Sequence, residues 1–152
     1  MRKILAVTAV ALLAACNPME QMDGAETLIE EFHADFNESD FNAIWNGASQ
    51  EFRESLTRAE FDDFMSRMRT SVGEYQDGSQ VGFNINTNNG TTLTEITLDT
   101  TYENGTADEV FTFIGTGDDM ALLNWNIDST APWAEPEVAE PAPGTAGEKP
   151  GV

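Results

Sequence analysis

The sequence predicts an α+β domain in which N-terminal helices pack on a four-stranded antiparallel sheet. Two observations carry this reading. Up to Gly73 the apolar residues recur every three or four positions, and beyond it every second one. Short turn signals then divide the second half into four apolar runs. Strands joined by short turns are antiparallel neighbours, and the helices cover the face such a sheet offers.

Ala25, Leu28, Ile29, Phe32 and Phe36 form one helical stripe, with Glu26, Glu30, Glu31 and Asp35 at the other positions. Asn37-Glu38-Ser39-Asp40 breaks this helix and caps the next, whose short apolar face is Phe41, Ile44 and Trp45. Ser49 to Leu56 reads as a further short turn of helix. Thr57-Arg58-Ala59-Glu60 is a capping box: the threonine side chain accepts from an orphan amide and the glutamate reaches back. It opens the third main helix, with Phe61, Phe64, Met65, Met68 and Val72 on one side and Gly73 at its end. Arg58 with Asp62, and Arg67 with Asp63, stand four residues apart as surface ion pairs.

Val81, Phe83 and Ile85 alternate up to an Asn88-Asn89-Gly90 turn. Ile96, Leu98, Thr100 and Tyr102 alternate up to Asn104-Gly105, a tight-hairpin signal. Val110 to Ile114 places Phe111 and Phe113 on one face, Gly115-Thr116-Gly117-Asp118 turns the chain, and Leu123, Trp125 and Ile127 form the last strand.

The ends of the chain read differently from this domain, taken as residues 24–128. Met1-Arg2-Lys3 is basic, and Ile4 to Leu13 is apolar but shorter than the roughly 20 residues a spanning helix needs. This is the pattern of a secretory leader, residues 1–15, with small residues at its cleavage site. Leu13-Ala14-Ala15-Cys16 resembles the lipobox of bacterial lipoproteins. That resemblance implies cleavage between Ala15 and Cys16 and acylation of Cys16. A thiolate suits thioether formation, and two or three acyl chains anchor stably where one does not. Asn17, rather than Asp, follows the cysteine; by the enteric-type sorting rule this favours the outer membrane, facing the periplasm. Residues 16–23 then comprise the lipidated Cys and a spacer, whose seven residues after Cys16 reach about 25 Å at most. At the other end, residues 129–152 hold five of the six prolines with Ala, Glu and Gly. Such a tail buries too little to offset its ordering entropy. Trp133 is its exception, either docked on the body or marking a partner contact.

Composition excludes several classes of function. With 27 Asp+Glu against 7 Lys+Arg, the net charge is −20, which excludes most electrostatic nucleic-acid binders, since these need a basic face to neutralise phosphates. Loss of the leader removes Arg2 and Lys3 and deepens the charge to −22. Anionic headgroups repel such a body, so the lipid tethers it without laying it flat. One His and one Cys leave no structural zinc set, and no cofactor motif occurs. Asp35 to Asn46 fails as a calcium loop, with Asp40 where Gly is needed and Asn46 where Glu is needed. Asp118-Asp119 reads as turn chemistry.

Three stretches carry a resemblance: Asp40-Phe41-Asn42-Ala43-Ile44-Trp45, Ser49-Gln50-Glu51-Phe52-Arg53, and Thr57 to Val72-Gly73. Together they resemble bacterial envelope domains of unknown function in the nuclear transport factor 2-like superfamily, over about Ala25 to Asp128. The resemblance implies a cystatin-like cone, helices against a curved sheet, although many members have more than the four strands read here. It implies that the cone serves as an enzyme pocket, a ligand site or an interaction surface. Trp45, Tyr102, Phe113 and Trp125 are the cavity candidates, with Phe83 and Phe111; the same residues could instead fill the core. For acid–base chemistry of the isomerase or dehydratase type, the candidates are His33, Asp35, Asp40, Tyr75 and Tyr102. His33 sits at the edge of the first helical stripe, beside Glu26 and Glu30, and reads as a boundary histidine paired with a carboxylate or solvated.

The expectation is a lipid-anchored envelope protein whose periplasm-facing domain binds an envelope protein or a small apolar or amphipathic ligand, without catalysis, metal or cofactor. The alternative is a small acid–base enzyme using the cone. A structural spacer whose acidic tail meets another envelope component is a third reading.

Overall fold

The computed structural model describes residues 17–133. Residues 1–16 and 134–152, where a leader, a lipidated Cys16 and most of a tail are expected, lie outside the described residues. Four helices come first: α1 (Pro18–Glu38), α2 (Phe41–Gly47), α3 (Gln50–Ser55) and α4 (Arg58–Val72). Four strands follow: β1 (Tyr75–Asn88), β2 (Thr91–Tyr102), β3 (Gly105–Ile114) and β4 (Ala121–Ser129). They form one open antiparallel sheet in the order β1-β2-β3-β4, with the helices packed against it.

Local chemistry places each helix boundary. Asn17 caps α1 by accepting from the Met19 amide, with Pro18 in the first turn where its missing N–H costs nothing. This helix therefore begins six residues before Gly24, where the domain was taken to start, and the residues read as a spacer are its first turns. A helix rises about 1.5 Å per residue, so this segment spans far less than an extended chain would. Ser39, in the left-handed region at φ 58, ends α1. Asp40 then caps α2 through the Ala43 amide, and Ser49 caps α3 through Phe52. The turn read at Ser49–Leu56 is thus a helix of its own. Arg53 donates to the carbonyls of Trp45, Asn46 and Ala48, which α2 leaves unpaired at its end.

Both halves of the capping box form: Glu60 accepts from the Thr57 amide at 2.8 Å, and the Thr57 hydroxyl accepts from the Glu60 amide. Hydrogen bonds from the Thr57 hydroxyl, and then from its amide, hold the Glu60 carboxyl below its ordinary range. We expect Thr57→Ala to lower unfolding free energy by about 1 kcal/mol in urea titration, with native spectra unchanged. An effect below a few tenths would show that α4 does not depend on this cap. The ion pairs Arg58–Asp62 and Arg67–Asp63 are both present on its exposed side.

The Asn89-Gly90 turn has both residues at positive φ, 50 and 84, as a two-residue hairpin matched to strand twist requires. The following hairpin turns one residue earlier than read, on Glu103-Asn104, and Gly105 pairs with Tyr102. Gly115 is required where it stands: φ is 97, and a Cβ there would strike the Asp119 carbonyl.

Every second residue of β2 from Thr92 to Tyr102, and of β3 from Ala107 to Phe113, is buried. That face meets Ala25, Ile29, Phe32 and Phe36 of α1 and Phe61, Met65, Met68 and Val72 of α4 in one core. β1 differs. It begins at Tyr75, earlier than its alternation suggests, and Val81 and Phe83 are 55% and 57% exposed. Phe83 therefore fills neither core nor cone. It pairs with the fully buried Ile96, but the helices do not extend over it.

Candidate functional site

The centre of the site is a buried carboxylate that the sequence reading did not single out. Along β3 the inward positions are Ala107, Glu109, Phe111 and Phe113, so the alternation drives Glu109 into the core, where it is 0% exposed. A carboxylate there needs donors, and three elements supply them. The Tyr102 hydroxyl of β2 donates to Oε1 at 2.8 Å, and the Trp125 indole N–H of β4 donates to the same oxygen at 2.9 Å. His33 Nε2 of α1 lies 3.0 Å from Oε2. The histidine is 3% exposed. It is paired with a carboxylate, but the partner is 76 residues away and not Glu26 or Glu30.

His33 is also held from its face. The Tyr75 ring stacks on the imidazole at 3.7 Å between centroids, 4° from parallel. Tyr75 is set there by Asn37, whose side-chain amide donates to the Tyr75 carbonyl at 3.0 Å and accepts from its amide at 2.8 Å. This pairing ties the end of α1 to the start of β1. Burial, and then the Glu109 charge, push the Tyr102 hydroxyl far up from its ordinary range. The same causes, in the same order, raise Tyr75.

An open cleft of about 550 Å³ lies between α1 and β1 above this network. Ile29, Ile96 and Leu98 make it apolar, and His33, Asn37, Tyr75 and Gln80 add polar groups. Glu26 and Glu30 stand among its lining residues. With Nε2 engaged by Glu109, the second ring nitrogen of His33, Nδ1, makes no hydrogen bond to the described residues. A neutral imidazole donating through Nε2 keeps an acceptor lone pair at Nδ1. In that tautomer the arrangement accepts a hydrogen bond at one oriented atom beside an apolar surface; as an imidazolium paired with Glu109 it donates one there instead.

The four cavity candidates do not meet in one pocket. Tyr102 is buried in the Glu109 network. Trp125 belongs to that network and also lines a second cleft of about 260 Å³ with Phe52, Phe64 and Leu122. Phe113 borders a small cavity of about 90 Å³, with Asp35 at its edge. There burial, then Asp40, Glu31 and Glu38, raise the Asp35 carboxyl. Trp45 packs on Phe61 and Phe52 at 5.1 and 6.2 Å, with the Arg58 guanidinium 5.5 Å over its ring. Asp40 is spent as the α2 cap. Trp133 contacts the body, its ring 5.9 Å from Phe64, while remaining half exposed.

Among the described residues, no group of three or more His, Cys, Asp or Glu could hold a metal ion, and no helix is long and apolar enough to cross a membrane. In comparisons with protein families, with curated proteins and with solved structures, nothing matches this chain.

Proposed function

We propose that this chain is a bacterial envelope lipoprotein, moored through acylated Cys16, whose domain binds a small amphipathic ligand in the α1–β1 cleft without catalysis. On this reading the domain is nuclear transport factor 2-like and faces the periplasm from the outer membrane. The α+β order of helices and four-stranded sheet supports the fold assignment. The single observation that carries the binding role is the cleft itself: an apolar floor with one oriented acceptor, His33 Nδ1, beside it. An apolar body with a donor or cationic head fits both that atom and the nearby Glu26 and Glu30.

A neutral apolar dye such as N-phenyl-1-naphthylamine serves as the probe. Its fluorescence should rise on binding, and Ala34→Trp, an exposed cleft residue, should weaken binding about tenfold without changing stability. Equal affinity in the variant would remove the cleft from the proposal. Intact mass of membrane-extracted protein tests the mooring separately: residues 1–15 retained, or Cys16 unmodified, would overturn it.

The second reading, an acid–base enzyme, is favoured by one observation. A buried carboxylate, Glu109, holds His33 through Nε2 and so orients its other ring nitrogen. Solvent exchange of the α-proton of a small ketone, abolished by His33→Gln, would establish that reading over simple binding.

A further inference from the structure

We infer that the outer edge of β1 is a homotypic docking surface, on which β1 of a second copy of this chain adds antiparallel and joins two sheets into one. Among the described residues β1 is a terminal strand of the sheet, and its backbone pairs on one side only, with β2. Past the irregularity between Gln80 and Gly82, the register from Gly82 to Asn88 is unbroken, so this half of the edge is regular. Edges exposed to solvent ordinarily carry Lys, inward charges or Pro that discourage a further strand. Residues 78–94 contain none of these: all 27 Asp+Glu and all 7 Lys+Arg lie elsewhere. In the same stretch Val81, Phe83 and Leu93 are exposed. Phe83 and Ile85 share the face of Ile96 and Thr94, which are fully buried, and so extend the core face past the helices that cover it.

The charge distribution selects the occupant. A partner recognised by positive charge would settle on the acidic surfaces and has no handle on this strand. Two bodies of net charge −20 repel one another, and their approach is least opposed where neither carries charge. The strand that fits a neutral edge alternating apolar and amide residues is another of the same kind, and each copy brings one. Antiparallel pairing about a two-fold axis at Asn84 sets Phe83 of each copy opposite Ile85 of the other. Asp77 then lies opposite Thr91, beyond the strand end, so no acid meets an acid along the shared edge.

Sedimentation velocity of the full-length protein in density-matched detergent tests this. The wild type should show a concentration-dependent dimer. Phe83→Lys and Val81→Lys, both at exposed positions, should weaken it at least tenfold with circular dichroism unchanged. Asn84→Cys should form a disulfide-linked dimer under mild oxidation, since residues opposite across an antiparallel pair on the axis lie within disulfide reach. Asn126→Cys, on the opposite edge strand β4, should not, and so reports the background of unspecific cross-linking. A monomer at every concentration, a dimer indifferent to both lysines, or equal cross-linking of the two cysteine variants would overturn the proposal. Monomers that bind phosphatidylcholine vesicles through Phe83 would also overturn it, assigning the edge to a bilayer.

Discussion

Glu109→Ala should destabilise the domain by about 3–5 kcal/mol, the largest effect expected of any single substitution in the network. The reason lies in what it strands and not in what it deletes. Three donors from three elements converge on that carboxylate, and all lie in or against the core. Each buried donor left unpaired costs about 1–3 kcal/mol, and the truncated side chain adds a cavity. A domain of this size is held together by about 5–15 kcal/mol, so the variant should be partly unfolded at moderate temperature. Glu109→Gln is the control. Its amide oxygen still accepts from Tyr102 and Trp125, so only the histidine contact is altered and the loss should be clearly smaller. Urea unfolding followed by tryptophan fluorescence measures both. Equal stabilities for the alanine variant and the wild type would mean that the three donors find other acceptors.

Above pH 10 the protein should unfold cooperatively, with tyrosinate appearing only as the structure is lost. Tyr75 and Tyr102 are the only two tyrosines, and both hydroxyls are raised from an ordinary value of 10.0. The unfolded chain then releases these protons first as pH climbs. Below pH 10 both states keep them, so this contribution to stability is intact there and is lost upward. The slope is about 1.4 kcal/mol per pH unit for Tyr102 alone, because a mostly buried phenol beside Glu109 cannot ionise in place. Tyr75 adds less, being more open to water. Tyr102→Phe should flatten the alkaline limb of the stability curve. Tyrosinate absorbance rising near pH 10 while circular dichroism stays native would refute the account.

The network was half legible. His33 stands out as the lone histidine at the edge of an apolar stripe, and its pairing with a carboxylate is what a near-core imidazole requires. The partner was missed because the third strand was read from Val110. Started at Gly105, the alternation Ala107, Glu109, Phe111, Phe113 puts an acid on the inward face, and a buried acid predicts donors around it. The aromatic residues were singled out as a set, but their surroundings were not recoverable. Trp125 and Trp45 are both large, aromatic and half-buried, yet one donates to Glu109 and the other packs under an arginine. That difference depends on which strand or helix lies opposite.

The chain's own residue order determined whatever is local. Capping side chains act within three or four residues, so Asp40 and Thr57 marked helix starts before any packing was known. Alternation and the Asn-Gly turn likewise specified an antiparallel meander, since a strand's two faces and a tight hairpin are properties of short segments. Only the tertiary structure decided which groups meet. It brought His33 to Glu109 across 76 positions, stacked Tyr75 on the imidazole, and left β1 half uncovered. Such contacts follow from how far one helix reaches across a sheet, a sum over many packing contacts that no local pattern encodes.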